Sequence, residues 1–112
     1  MRNVLLVGVA SLTAALSVWA DDGLPAGALG KGTLANPKLV QDAKVGVAQK
    51  VATMGCTQLG GVDTYVLAMP SGAEGQRRWK ELWVVSGCSN KYPVNIEFYE
   101  DGPTAANWII GK

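Results

Sequence analysis

The chain has 112 residues, a formal charge of +1 and no histidine. A length this short holds one small domain, and a charge this balanced, with no long Lys/Arg stripe, gives no electrostatic footprint for nucleic acid or an anionic membrane surface. The missing histidine removes the usual general base near neutral pH, every histidine-dependent triad and the commonest transition-metal ligand.

The first twenty residues carry the three parts of an export signal. Arg2 is the basic start, Val4 to Val18 the apolar run, and Ala20 the small residue before Asp21 and Asp22. Gly8, Ser11, Thr13 and Ser17 interrupt the run, which is shorter than the roughly 20 residues a membrane helix needs. The expected product is cut after Val18-Trp19-Ala20, with no stable membrane anchor and no cysteine near the cut to accept a lipid. Arg2 is the one charged residue removed, so the remaining chain of about 92 residues is neutral.

Asp21 to Asn36 is Gly-, Ala-, Leu- and Pro-rich without periodicity and reads as a flexible leader. The domain proper is expected over 37–112. Asn36 is placed to cap a helix whose first residue, Pro37, needs no amide hydrogen. Val40, Ala43, Val47, Val51 and Met54 recur at spacings of three and four, an amphipathic stripe that needs one layer to cover it. Gly46 lies inside the pattern as a close-packing position, and Gly55 is the stop.

After Cys56 the periodicity becomes two. Strands are predicted at Val62–Met69, Trp79–Val85, Tyr92–Tyr99 and about Asn107–Ile110, separated by Gly- and Pro-containing turns. Tyr92, Val94, Ile96 and Phe98 share one face of the third, and Pro93 near its start argues for an edge or a position outside the ladder. The expected fold is α+β: one amphipathic helix packed on an antiparallel meander of three to four strands, with one disulfide. Cys56 and Cys88, the only cysteines of a chain read as exported, form that bridge. Closing a loop of about 33 residues stabilises the fold by roughly 3.5–4 kcal/mol in the chain-entropy model. The bridge would tie the helix end to the exit of the Trp79 strand.

No pattern specifies a reaction, so the chain is read as non-enzymatic, with no cofactor and no metal. The EF-hand spacing is absent, and Gly55 to Gly61 lacks the Lys-Ser/Thr of a phosphate loop. The carboxylate pairs Glu97/Glu100 and Asp63/Glu81 carry no feature that would raise one pKa for glycosidase chemistry. Arg77, Arg78 and Lys80 sit beside Glu74 and Glu81, which fits a solvated strand or turn face. Arg78, Trp79 and Trp83 are the candidate binding residues. Trp79 and Trp83 share a strand face with Glu81 and Val85; Leu82 and Val84 take the other. If Leu82 and Val84 face the helix, the tryptophans form an exposed platform; if the tryptophans face it, they are core.

The stretch Trp79-Lys80-Glu81-Leu82-Trp83-Val84-Val85-Ser86-Gly87-Cys88, followed by Tyr92-Pro93-Val94-Asn95-Ile96-Glu97-Phe98, resembles the C-terminal half of small exported proteins of unknown function found in pseudomonads and related Gram-negative bacteria. The resemblance implies a periplasmic or secreted setting and transfers no active residue. The function expected is therefore binding or accessory, toward a protein, peptide or cell-envelope component through the sheet face. The alternative is an inhibitor or immunity-like protein that presents the Ser71–Arg78 loop to an extracellular hydrolase.

Overall fold

Asn36 caps the helix as its sequence position requires: its Oδ1 accepts from the Leu39 amide at 2.8 Å, and Pro37 opens helix α1, Pro37–Thr53. The computed structural model describes residues 23–111, so the export signal read over residues 1–20 lies outside the described residues. At its other end α1 closes in a paired hydrogen-bond motif. The Gly55 amide donates to Ala52 O and the Cys56 amide to Val51 O, with Gly55 at φ +104°, where a side chain would be strained. Val51 and Cys56 are both fully buried, so the motif also delivers Cys56 into the core.

Five strands follow one another in space as they do in sequence: β1 (Gly30–Lys31), β2 (Leu59–Ser71), β3 (Arg78–Gly87), β4 (Asn90–Glu100) and β5 (Ala106–Ile110). Every neighbouring pair is antiparallel. The strand beyond the predicted four is β1, inside the stretch read as a flexible leader. Two flanking bonds extend it, Leu29 N to Val66 O and Gly32 N to Thr64 O, each 2.7 Å. The Leu34 amide then bonds Glu81, and Ala35 packs on the core, so residues 29–35 are fastened to the domain. Pro93 pairs with Val84 in the half of β4 that β5, paired with Ile96–Glu100, leaves uncovered. A missing amide hydrogen is tolerated there.

α1 covers one face of the sheet. Leu39, Ala43, Val47 and Val51 meet Trp79, Trp83, Val85, Val94, Ile96 and Phe98 in a single cluster. The helix stripe is rotated slightly from its predicted position. Leu39 is buried where Val40 is only partly so, and Met54, at the cap where the chain leaves the helix, is exposed. Gly46 sets this rotation, because a methyl group at Gly46 would overlap the Trp108 ring of β5. Trp108 is half-buried and lies over the helix at that point.

Cys56 and Cys88 are bonded, with Cα atoms 5.9 Å apart, and the bridge joins the end of α1 to the β3–β4 turn. Cys88 (φ 51°) and Ser89 (φ 58°) are the two central residues of that turn. Both occupy the left-handed region that two-residue hairpins with this twist require and that Asn and Gly usually fill.

Candidate functional site

Alternation along β3 sends Trp79, Glu81, Trp83 and Val85 to the helix side and Arg78, Lys80, Leu82 and Val84 to the other. Trp79 and Trp83 are 7% and 0% exposed; Trp79 stacks on Phe98 at a centroid distance of 5.2 Å, and Trp83 packs against the same ring at 6.1 Å, tilted by 43°. The exposed-tryptophan platform therefore does not form; both rings are core. Arg78 is exposed but faces away from them, so the three candidate binding residues are not brought together.

Between the two indoles lies a group whose role composition did not reveal. Glu81 is fully buried, yet its carboxylate is supplied with donors. Trp83 Nε1 donates to Oε1 at 2.8 Å, Trp79 Nε1 to Oε2 at 2.8 Å, and the Leu34 amide to Oε2 at 2.9 Å. The alternation Trp-x-Glu-x-Trp places both indoles beside the acid on one face. A carboxylate with several strong donors satisfies the rule that buried polar groups be bonded. Glu81 thus pins the residues before α1 to the sheet. The acid pairs considered from sequence are not assembled. Asp63 pairs with Val84 on the side opposite Glu81, and Glu97 and Glu100 fall on opposite sides of β4.

The face left uncovered is the one bearing Leu82. Cross-strand register sets Tyr65 beside Leu82, Asp63 and Pro93 beside Val84, Glu97 beside Lys80 and Ile109, and Tyr99 beside Arg78. Ile109 is 49% exposed. A concavity of about 420 Å³ opens here, lined by Leu67, Lys80, Asn95, Glu97, Ile109 and Gly111. Arg78 pairs with Glu97 at 3.3 Å and lies over the Tyr99 ring at 5.3 Å from its centroid. Among the described residues, Asp63 and Lys80 on this face make no ion pair. The sequence signal for the face was the second alternation of β3, which the tryptophans overshadowed.

At one end of the sheet the 72–77 and 101–105 loops are locked together through Glu100. Its carboxylate accepts from the Gly75 and Arg77 amides and from the Arg77 guanidinium, at 2.8–3.1 Å. The Gly102 amide adds a bond to Gly75 O. The Arg77 side chain and then the Arg77 and Gly75 amides hold the Glu100 carboxyl at about 2, and the Arg77 guanidinium is raised in turn by its bond to Glu100.

No family model, no curated protein and no solved structure matches this chain. Among the described residues, no helix is long and apolar enough to cross a membrane, and no cluster of three or more His, Cys, Asp or Glu could hold a metal ion.

Proposed function

We propose that the chain is an exported, non-enzymatic binding or accessory protein of the periplasm or extracellular space, and that it engages a protein partner with the uncovered face of its sheet. Export is supported by the signal pattern of residues 1–20, by the resemblance to small exported Gram-negative proteins, and by the Cys56–Cys88 bridge, which an oxidising compartment maintains. The observation that carries the binding reading is the asymmetry of the sheet. One helix covers one face, while the other carries Tyr65, Leu82 and Val84 at its centre, with Lys31, Asp63, Lys80 and Asn95 around them and Ile109 beyond Glu97. An apolar patch with a polar rim is the usual anatomy of a protein interface.

Capture from a periplasmic extract tests it. Leu82→Arg places an uncompensated charge at the centre of the face and should abolish capture, Arg78→Ala should weaken it, and Lys44→Glu on the helix should leave it intact. A folded Leu82→Arg protein that captures as wild type does would end the reading. Trp83→Ala has no place in this test, because it empties the core.

The locked loops favour one further reading, that of an inhibitor of an extracellular hydrolase. Residues 72–77 are mostly exposed but held by five bonds to Glu100, so they would lose little freedom on entering a cleft. Co-purification with a hydrolase that is lost on Glu100→Ala, and retained on Leu82→Arg, would favour it over the sheet face.

A further inference from the structure

We propose that thiol–disulfide exchange at the bridge enters through Cys88: a dithiol oxidoreductase or a small thiol forms its mixed disulfide with Cys88 Sγ, and Cys56 is the sulfur that leaves and later closes the bond. The ground is the unequal setting of the two sulfurs. Cys88 is exposed at the tip of the β3–β4 hairpin, between Gly87 and Ser89, whereas Cys56 is 0% exposed and belongs to the core cluster with Val51 and Val85. An oxidoreductase partner presupposes the export read from residues 1–20; the choice of sulfur does not.

Exchange is a displacement in line with the S–S bond, so the attacked sulfur must be open to an incoming thiolate, and the rate depends on that access. Cys56 offers none. Its Sγ lies against the Gly87 backbone, where an added methyl group would stand 3.1 Å from it and 2.7 Å from Gln58 O, and Gln58 O is itself 3.7 Å from the sulfur. Around Cys88 the chain neighbours are small or polar. Ser89 and Asn90 are exposed, and a concavity of about 550 Å³ opens beside the turn, with Gln58, Gly87, Ser89 and Lys91 in its walls. An approaching thiol therefore meets Cys88 and not Cys56.

In the opening direction the incoming thiolate bonds to Cys88 Sγ, the Cys56–Cys88 bond breaks, and its electron pair goes to Cys56 Sγ, which takes a proton from water. The new S–H has an acceptor in Gln58 O. The second thiol of the dithiol, or a second molecule of the small thiol, then attacks the reductant's own sulfur in the mixed disulfide and frees Cys88; the bridge is reduced and the reductant is oxidised to its disulfide. Closing runs the other way. The Cys88 thiolate attacks the disulfide of an oxidised carrier, and Cys56 gives up its proton, attacks Cys88 Sγ and expels the carrier's thiolate. Since only the hairpin tip has to be reached, the bond can be closed on a domain whose core is already packed.

Reduced glutathione added to the wild-type protein in native buffer, with the reaction quenched in acid and the adduct located by peptide mass spectrometry, tests the choice of sulfur. Cys88 should carry the glutathione in at least about tenfold excess over Cys56, which is reached only when the domain opens. The single-cysteine variants C56A and C88A give a second reading with an aromatic disulfide reagent. Cys88 should react at the rate of an unfolded-chain thiol, and Cys56 at least about tenfold more slowly until urea unfolds the chain. Circular dichroism shows whether those variants are folded, and where they are not the wild-type adduct decides. Equal glutathione on the two cysteines, or a preference for Cys56, would overturn the proposal, as would a folded C88A whose Cys56 reacts as fast as Cys88. In exporting cells C56A should accumulate a reductant-sensitive adduct and C88A should not; a protein-sized adduct identifies an oxidoreductase, and the mass of a small thiol identifies that source. A C56A free of adduct, with Cys88 still the preferred sulfur in the glutathione reaction, would strike the partner and the export it presupposes and leave the choice of sulfur standing.

Discussion

Replacing Glu81 by glutamine keeps its size and shape but exchanges one acceptor oxygen for an NH₂ group, and the geometry dictates where that group must go. Oε1 accepts one bond, from Trp83, whereas Oε2 accepts two, from Trp79 and Leu34. The less costly orientation keeps the amide oxygen on the Oε2 side and turns the NH₂ toward the Trp83 indole. One buried donor then faces another, which costs about 1–3 kcal/mol, and the two retained bonds lose the strength a charged acceptor gives them. Glu81→Gln should therefore cost about 2–4 kcal/mol, and Glu81→Leu, which orphans all three donors, about 3–6 kcal/mol. Equilibrium urea unfolding followed by far-UV circular dichroism measures both without relying on the tryptophans as probes. The arrangement also predicts a coupling. In a Trp83→Phe background the facing donor is gone, so Glu81→Gln should cost about 1–2 kcal/mol less than in the wild type, and a Trp79→Phe background should give much less relief. A Glu81→Gln protein as stable as wild type, or equal relief in the two backgrounds, would refute the reasoning.

Removing the bridge as C56A/C88A should cost roughly 3–4 kcal/mol in the same assay. Ser89→Gly should raise the melting temperature, since glycine accepts the φ of 58° without strain; the gain of about 0.5–1 kcal/mol is what remains after its greater freedom in the unfolded chain. Gly46→Ala should destabilise by about 1–3 kcal/mol despite alanine's better helix propensity, because the methyl group meets the Trp108 ring, and Trp108→Leu should recover part of the loss. For pH, the sign follows from Glu100, whose carboxyl sits at about 2 in the fold against an ordinary 4.5. A depressed carboxyl stabilises the fold above its unfolded pKa and loses that contribution as pH falls through the folded one. Stability should decline between about pH 5 and pH 2, and Glu100→Gln should flatten that part of an acid titration followed by circular dichroism.

The elements most legible in the sequence were those whose signals are local. Asn36-Pro37 and Gly55 fixed the ends of α1, and the alternation of Tyr92, Val94, Ile96 and Phe98 gave the buried side of β4 directly. The bridge followed from two cysteines and an export pattern. Strand β1 was not legible, since two residues, Gly30 and Lys31, carry no period, and their place depends on bonds to Thr64 and Val66 that lie over thirty residues away. The orientation of β3 was undecided for a physical reason. Both of its faces hold large apolar side chains and a charged residue, Glu81 beside the tryptophans and Lys80 beside Leu82, so neither face is marked as the buried one by its composition. What resolves it is tertiary. The indole donors and the Leu34 amide make the buried acid tolerable, and the apolar face of Leu82 and Val84 is thereby left outward.

Site-specific photo-crosslinking in intact exporting cells tests the binding face most directly. A crosslinker at Val84, on the uncovered face, should give a discrete protein adduct, and the same group at Lys44, on the outer side of α1, should not. The mass of the adduct would identify the partner seated on this face, whether another protein or a further molecule of this chain. Equal labelling at both positions, or labelling at Lys44 alone, would contradict a binding role for the uncovered sheet.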